Sequence, residues 1–273
     1  MQKIPLGYWI QLGIEAITLH CDAYFRAFSE VLSQVMSEFT QALLWFNPWF
    51  WIALLGAWSL YSNKNPLRAL FSSFGLFLIF NLGYWQESME TLALVVFSVM
   101  TSILFGLPMG VLASRVPSFY RVLQPGLDFM QTIPTFVYLI PTLMLFGLGM
   151  APGVISTIIF AMPALIRMTY HGLVHVPLSL KEVGDSFGAS PFQRLIQIEI
   201  PHALTTIREG VSQAVMLSLS MVVIAALVGA DGLGKPVVQA LNTVNIAKGF
   251  ESGLAIVILA ILLDRVVLVR KHS

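Results

Sequence analysis

Thr91-Leu-Ala-Leu-Val-Val-Phe-Ser-Val-Met-Thr-Ser-Ile-Leu-Phe-Gly-Leu-Pro-Met-Gly-Val-Leu-Ala-Ser114 runs for 24 residues without an Asp, Glu, Lys, Arg or His. About 20 apolar residues span the hydrocarbon core of a bilayer as a helix, so this stretch reads as a membrane span. Comparable uncharged runs cover 39–63, 69–86, 129–166 and 210–230. Across all 273 residues only 11% are charged and 57% are hydrophobic, whereas soluble domains carry roughly a quarter charged residues. A water-soluble globule is excluded. The net charge of +1 leaves no broad footprint for nucleic acid. The single cysteine, Cys21, rules out an intrachain disulfide and a cysteine-based metal cluster. The chain reads as an all-α polytopic membrane protein.

Run 129–166 is too long for one helix and breaks at Gly147-Leu-Gly-Met-Ala-Pro-Gly153, a turn composition. Seven spans are expected, near 45–62, 67–85, 89–114, 129–148, 152–172, 208–230 and 252–269. One side of this arrangement collects Lys64, Arg68, Arg115, Arg121, Arg167, Lys181, Arg194, Arg208, Arg265, Arg270 and Lys271. The other holds Lys3, Arg26, Lys235 and Lys248. The positive-inside bias then places the C-terminus in the cytoplasm and the N-terminus outside. Residues 1–44 lack a convincing signal-peptide cleavage site. Within them, Tyr24, Phe25, Phe28, Val31, Leu32, Val35 and Phe39 recur at helical spacing. An amphipathic helix over 23–44 is expected, lying on the membrane surface or against the bundle. Three regions result: an extracytoplasmic tail (1–44), peripheral spans (45–87) and a core (88–269).

The longest cytoplasmic connection, 173–207, carries consistent punctuation. Ser179 and Glu182 fit a capping box, and Gly188 fits a left-handed helix end. Ser190, Pro191 and Gln193 restart a second capped helix, with Pro201 expected to bound it. Two short helices joined by a glycine turn are predicted. In this loop Glu182-Val-Gly-Asp-Ser-Phe-Gly188, nine residues, then Ile198-Glu-Ile-Pro201 resembles the EAA signature of ABC importer permeases. Glu182, Gly188, Ile198 and Pro201 match, while Val183, Gly184 and Ile200 depart. Gly184 in mid-helix weakens the first helix by up to ~1 kcal/mol relative to Ala, so it calls for a packing partner.

The stretches Gln131–Pro141, Met144–Gly149, Ser186–Pro191, Met216–Ala225 and Ile256–Arg265 look like glycine betaine/proline importer permeases, the quaternary-amine branch of that family. The resemblance implies a type I ABC importer transmembrane domain moving a compatible solute such as glycine betaine, proline betaine or choline. It implies a permease homodimer in a bacterial-type inner membrane, an extracytoplasmic solute-binding protein, and separate ATPase subunits that use ATP and magnesium. By the same resemblance, Glu182, Asp185, Ser186, Gly188, Ala189, Ser190, Pro191, Ile198 and Pro201 form the coupling surface for the ATPase. No catalytic role and no cofactor fall on this chain.

Other signals are weaker. A helix-turn-helix between two spans, with few basic residues, does not meet the docking demands of DNA. Gly229-Ala-Asp-Gly-Leu-Gly-Lys235 fits a phosphate loop in outline, but Pro236 stands where Ser or Thr is needed. It reads as an external turn. His171 and His175 share metal-ligand spacing without the Glu of a zinc-protease motif, and read as interfacial histidines. The span middles lack the ionisable groups of ion-coupled carriers. The alternatives are an ABC permease for another small solute, such as an amino acid, or a channel or ion-coupled carrier.

Asp128, Gln131, Thr135, Tyr138 and Thr142 recur at helical intervals and predict a polar stripe on one helix face. The stripe is expected to line the solute pathway, with Phe136 or Tyr138 offering a cation–π surface and Gln213 and Ser220 opposite. Interhelical hydrogen bonding by the same residues is the competing reading.

Overall fold

In a bilayer every backbone donor and acceptor must be satisfied within the protein, which restricts spanning elements to helices and closed barrels. The computed structural model describes residues 5–63 and 66–267, and all regular elements among them are helical. They are α1 (Leu6–Leu44), α2 (Pro48–Asn63), α3 (Pro66–Asn81), α4 (Trp85–Arg115), α5 (Pro117–Thr132) and α6 (Thr135–Phe146). There follow α7 (Met150–Val174), α8 (Leu178–Ser186), α9 (Pro191–Arg194), α10 (Ile200–Ala225), α11 (Gly234–Asn242) and α12 (Ile246–Val267). A π-helical turn, Leu195–Glu199, joins α9 to α10, and a 3₁₀ turn, Ala226–Val228, follows α10. Of the charges used for orientation, Lys3, Lys64, Arg270 and Lys271 lie outside the described residues, as does the C-terminus itself.

The centre of the bundle is α7, packed against α10 on one side and α4 on the other. Lipid tails are as apolar as leucine, so spans associate through close packing rather than through escape from water. The α4–α7 contact meets that requirement with small residues. Gly106 and Gly110 stand one turn apart on α4, and a Cβ added at Gly110 would lie 2.6 Å from Thr169 Cβ and 2.9 Å from the Ile166 carbonyl oxygen on α7. α12 closes the core against α10 and α4, through Ala255, Ile258, Leu259 and Leu262.

Four helical runs are long and apolar enough to cross a membrane: α4, α7, Pro191–Val228 and α12. Two bent pairs, α1 with α2 (80°) and α5 with α6 (98°), raise the number to six if each is one span. The helices differ from the expected boundaries at several places. The predicted spans 45–62 and 67–85 correspond to α2 and α3, helices of 16 residues each that pack on one another. The predicted span 129–148 is not one helix. Pro134 has no N–H and disfavours helical backbone at the residue before it, and Ile133 is extended (φ −65°, ψ 132°). Pro201 does not bound the second loop helix either, because Pro191–Val228 is one continuous helical run.

The amphipathic segment begins at Leu6 rather than near residue 23, giving a 39-residue helix. Its interruptions by polar residues are absorbed by neighbours one turn away. Gln11 donates to Glu15, Arg26 pairs with Asp22, and Gln34 donates to Glu38. Its C-terminal half packs on the bundle through buried Leu32 and Met36, through Phe25 and Phe28 against Phe146, and through Ser29, which donates to the Phe146 carbonyl. The surface-lying alternative does not hold for that half.

Candidate functional site

Loop 173–207 emerges at the end of the bundle where α4 and α7 finish and α10 begins. α8 starts at Leu178 with Pro177 as its cap and no side-chain cap bond. The Ser179–Glu182 box is therefore corrected: the helix begins at Leu178, so Ser179 already lies inside it. Glu182 is exposed, and its carbonyl accepts a hydrogen bond from the Ser186 hydroxyl. The helix ends as expected. Gly188 has φ +73°, its N–H donates to the Asp185 carbonyl, and the Ala189 N–H reaches back to Gly184. The second box is intact: the Gln193 N–H donates to Ser190 Oγ and the Ser190 N–H donates to Gln193 Oε1, with Pro191 in the first turn.

Gly184, the anomaly in the signature, sits where the two halves of the loop touch. A Cβ there would lie 2.6 Å from Ile198 Cδ1, so α8 rests closely on the π turn and a larger residue would have to displace the end of the Ile198 side chain. Pro201 accounts for that turn. It cannot donate to the Gln197 carbonyl and its ring would strike it. Widening the helix just before it accommodates both effects, and Ile200 N–H bonds to Leu195 O across the wider turn. The paired helices present Val183, Phe187 and Phe192 outward, with Phe187 87% exposed.

A chain of charges ties this loop to the bundle. Asp185 on α8 takes two hydrogen bonds from Arg194 Nη1 (2.7 and 2.8 Å). Arg194 Nε donates to Glu199 Oε1 at 3.1 Å. Glu199 also receives both Nη atoms of Arg115, at 3.2 and 2.6 Å, from the last turn of α4. Sequence reading missed Glu199 and Arg115 because 84 positions separate them. The available signal was a lone carboxylate within an apolar Ile-x-Ile-Pro stretch, next to a span that begins there.

The polar stripe is redistributed by the bend at Pro134. Asp128 and Gln131 belong to α5, and Asp128 is paired with Arg167 of α7. Thr135, Phe136, Tyr138 and Thr142 belong to α6. Tyr138 reaches back over the bend, its hydroxyl donating to the Met130 carbonyl. Thr142 is 5% exposed and its Oγ1 lies 2.8 Å from Ser156 Oγ of α7, an interhelical contact. Phe136 is exposed, as are Gln213 and Ser220, which with Met216 share one face of α10.

The remaining motifs have local explanations. In the Gly229–Lys235 stretch, Gly229 and Gly232 take positive φ, and the Leu233 N–H donates to Thr91 Oγ1 of α4 at 2.8 Å. Lys235 pairs with Asp231. This is a turn pinned to α4, as its sequence context suggests. His175 Nδ1 lies 2.8 Å from the His171 carbonyl, within one helix end.

Known proteins agree with this architecture. The chain is 39% identical over 265 residues to the glycine betaine/carnitine transport permease protein GbuB of Listeria monocytogenes, covering 96% of this chain and 94% of that one. It is 41% identical to the glycine betaine transport system permease protein OpuAB of Bacillus subtilis, over 97% of this chain and 94% of that one. With the glycine betaine/proline betaine permease ProW of Escherichia coli it shares 40% identity, over 96% of this chain and 74% of that one. Among solved structures, an inward-facing MetNI methionine ABC transporter chain aligns with a TM-score of 0.59 at 26% identity, over 65% of this chain and 91% of that one. Residues 102–269 match the binding-protein-dependent transport system inner membrane component family, and the chain belongs to that family.

Proposed function

We propose that this permease moves a quaternary-ammonium compatible solute, glycine betaine or proline betaine, into the cytoplasm. It works as a homodimer with two ATPase subunits and an extracytoplasmic solute-binding protein. ATP and magnesium are used on the ATPase. The observation that carries the solute is the identity of 39–41% over nearly the whole chain to permeases named for glycine betaine. A second reading, an amino acid, is favoured by the likeness to a methionine transporter, at 26% identity. Reconstituted with its ATPase and binding protein in proteoliposomes, the permease should accumulate radiolabelled glycine betaine only when ATP is supplied. Accumulation of methionine but not betaine, or ATP-independent flux, would reject this reading. The charge bias puts the N-terminus outside, so a tag at residue 1 should be cut by external protease in intact spheroplasts. Protection there would invert the topology.

The coupling surface in this proposal is Glu182, Asp185, Ser186, Gly188, Ala189, Ser190, Pro191, Ile198 and Pro201. Glu182 is exposed and free to meet a basic group on the ATPase, and outward Phe187 and Phe192 supply apolar anchors. Gln131, Thr135, Phe136 and Tyr138 form one wall of the solute pathway and Gln213 and Ser220 the other. Thr142 supports the first wall from behind through Ser156. Aromatic faces at Phe136 and Tyr138 suit a methylated cation, at about 0.5–2 kcal/mol, weak enough for release. In a Cys21-free background, single cysteines at 131, 135 and 138 should react with small polar thiol reagents, at rates that change during ATP turnover. A cysteine at 142 should stay inert. Inertness at all four positions with full transport would assign these residues to helix packing.

A further inference from the structure

We infer that Glu199 is a positioning residue for coupling, the node through which movement of the docking helices reaches the spans. The inference rests on the importer reading above and adds a residue outside the coupling surface itself. Among the described residues Glu199 is the only acidic or basic side chain that is fully buried, at 1% exposure. A buried carboxylate is tolerated only when its charge is matched and its lone pairs are bonded. Here two guanidinium groups do both, and they come from different parts of the molecule. Arg115 is the end of α4, and Arg194 is the end of α9.

The connections beyond Glu199 give it a direction. Arg194 spends its remaining face on Asp185 of α8, and α8 otherwise rests on the π turn where Gly184 meets Ile198. A push on α8 is therefore delivered to the Arg194–Glu199 pair. From Glu199 it passes to α10, with which the π turn is continuous, and through Arg115 to α4. At its opposite end α4 holds the Gly229–Lys235 turn through Thr91. α4, one continuous helix with Pro108 inside it, thus connects the loop to the far side of the bundle. Glu199 itself sits in the π turn, a local geometry frequent at functional sites. A carboxylate between two arginines is also poised to be exclusive. Without its charge, Arg115 and Arg194 repel, and the contact between α4 and the loop opens.

The test uses the complete complex in nanodiscs and compares Glu199→Gln, Arg115→Gln and the double variant. The readout is stimulation of ATP hydrolysis by the loaded binding protein, measured with whatever solute that protein carries. Each single variant should copurify with its ATPase in wild-type ratio yet lose about tenfold of the stimulation. The double variant should lose no more than Glu199→Gln alone, because that change already removes the contact to Arg115. Stimulation of Glu199→Gln within about twofold of wild type would overturn the inference while leaving the importer reading intact. Loss of the ATPase from that variant would overturn it as well, since the carboxylate would then hold the docking surface itself together. Additive losses in the double variant would show that the two residues act separately and would overturn the pairing. If even the wild-type complex is not stimulated, the importer reading fails and the inference falls with it.

Discussion

Gly188→Val should reduce ATP-driven transport by about tenfold or more while leaving the permease inserted and folded. The turn at Gly188 has φ +73°, a conformation that costs an L-residue roughly 1–2 kcal/mol and is worse still for a β-branched side chain. No other atom lies within 4 Å of the Cβ position, so the substitution meets no clash inside this chain. Its whole effect is on the backbone. The strained turn relaxes by giving up the Ala189-to-Gly184 and Gly188-to-Asp185 bonds, and α8 then loses its fixed angle to α9. Spans α4, α7 and α12 make no use of that turn, so expression and membrane insertion should be near normal. Gly188→Asn is the discriminating control, because asparagine tolerates the left-handed region and should keep most of the transport. Equal behaviour of the Val and Asn variants, at any level, would remove backbone conformation as the reason for glycine here.

The loop was legible because its signals are local. Ser190, Pro191 and Gln193 satisfy backbone groups three residues away, and Gly188 sets one dihedral angle; neither needs the rest of the molecule. The failures come from distance and from backbone geometry. Hydropathy sees residues 129–148 as one apolar run, and the intervals from Asp128 to Thr142 imitate one helix face. A single N–H missing at Pro134 outweighs that periodicity and turns the chain by 98°. α1 extends well before the 23–44 expected, because polar residues in its first half bond to one another along the helix, as Gln11 does to Glu15. In the Asp185–Arg194–Glu199–Arg115 chain only the last link lacks a local trace, since it joins residues 84 apart. The membrane class itself needed only the uncharged runs, because a bilayer admits few alternatives.

The second large effect is expected at Gly110. α4 and α7 approach so closely there that even a methyl group would sit 2.6 Å from Thr169 Cβ and 2.9 Å from a backbone oxygen of α7. A side chain can rotate away, but the Ile166 carbonyl cannot, because it is part of the helix. Gly110→Leu must therefore separate the two helices, and overpacking of this kind costs about 1–3 kcal/mol or more. In lipid the loss is not recovered by burying apolar surface elsewhere, since contact with lipid tails is no worse for leucine than contact with protein. The separation would also carry Arg115, five residues along α4, away from Glu199, so structural and functional losses should appear together. Thermal unfolding followed by fluorescence size-exclusion chromatography should show a drop of roughly 5 °C or more for Gly110→Leu. Gly110→Ala should fall between the leucine variant and wild type. Gly13→Leu, on the exposed half of α1 with nothing within 4 Å of its Cβ position, should unfold as wild type does. A leucine at 110 that leaves the unfolding temperature unchanged would mean that α4 and α7 are not packed through their glycines.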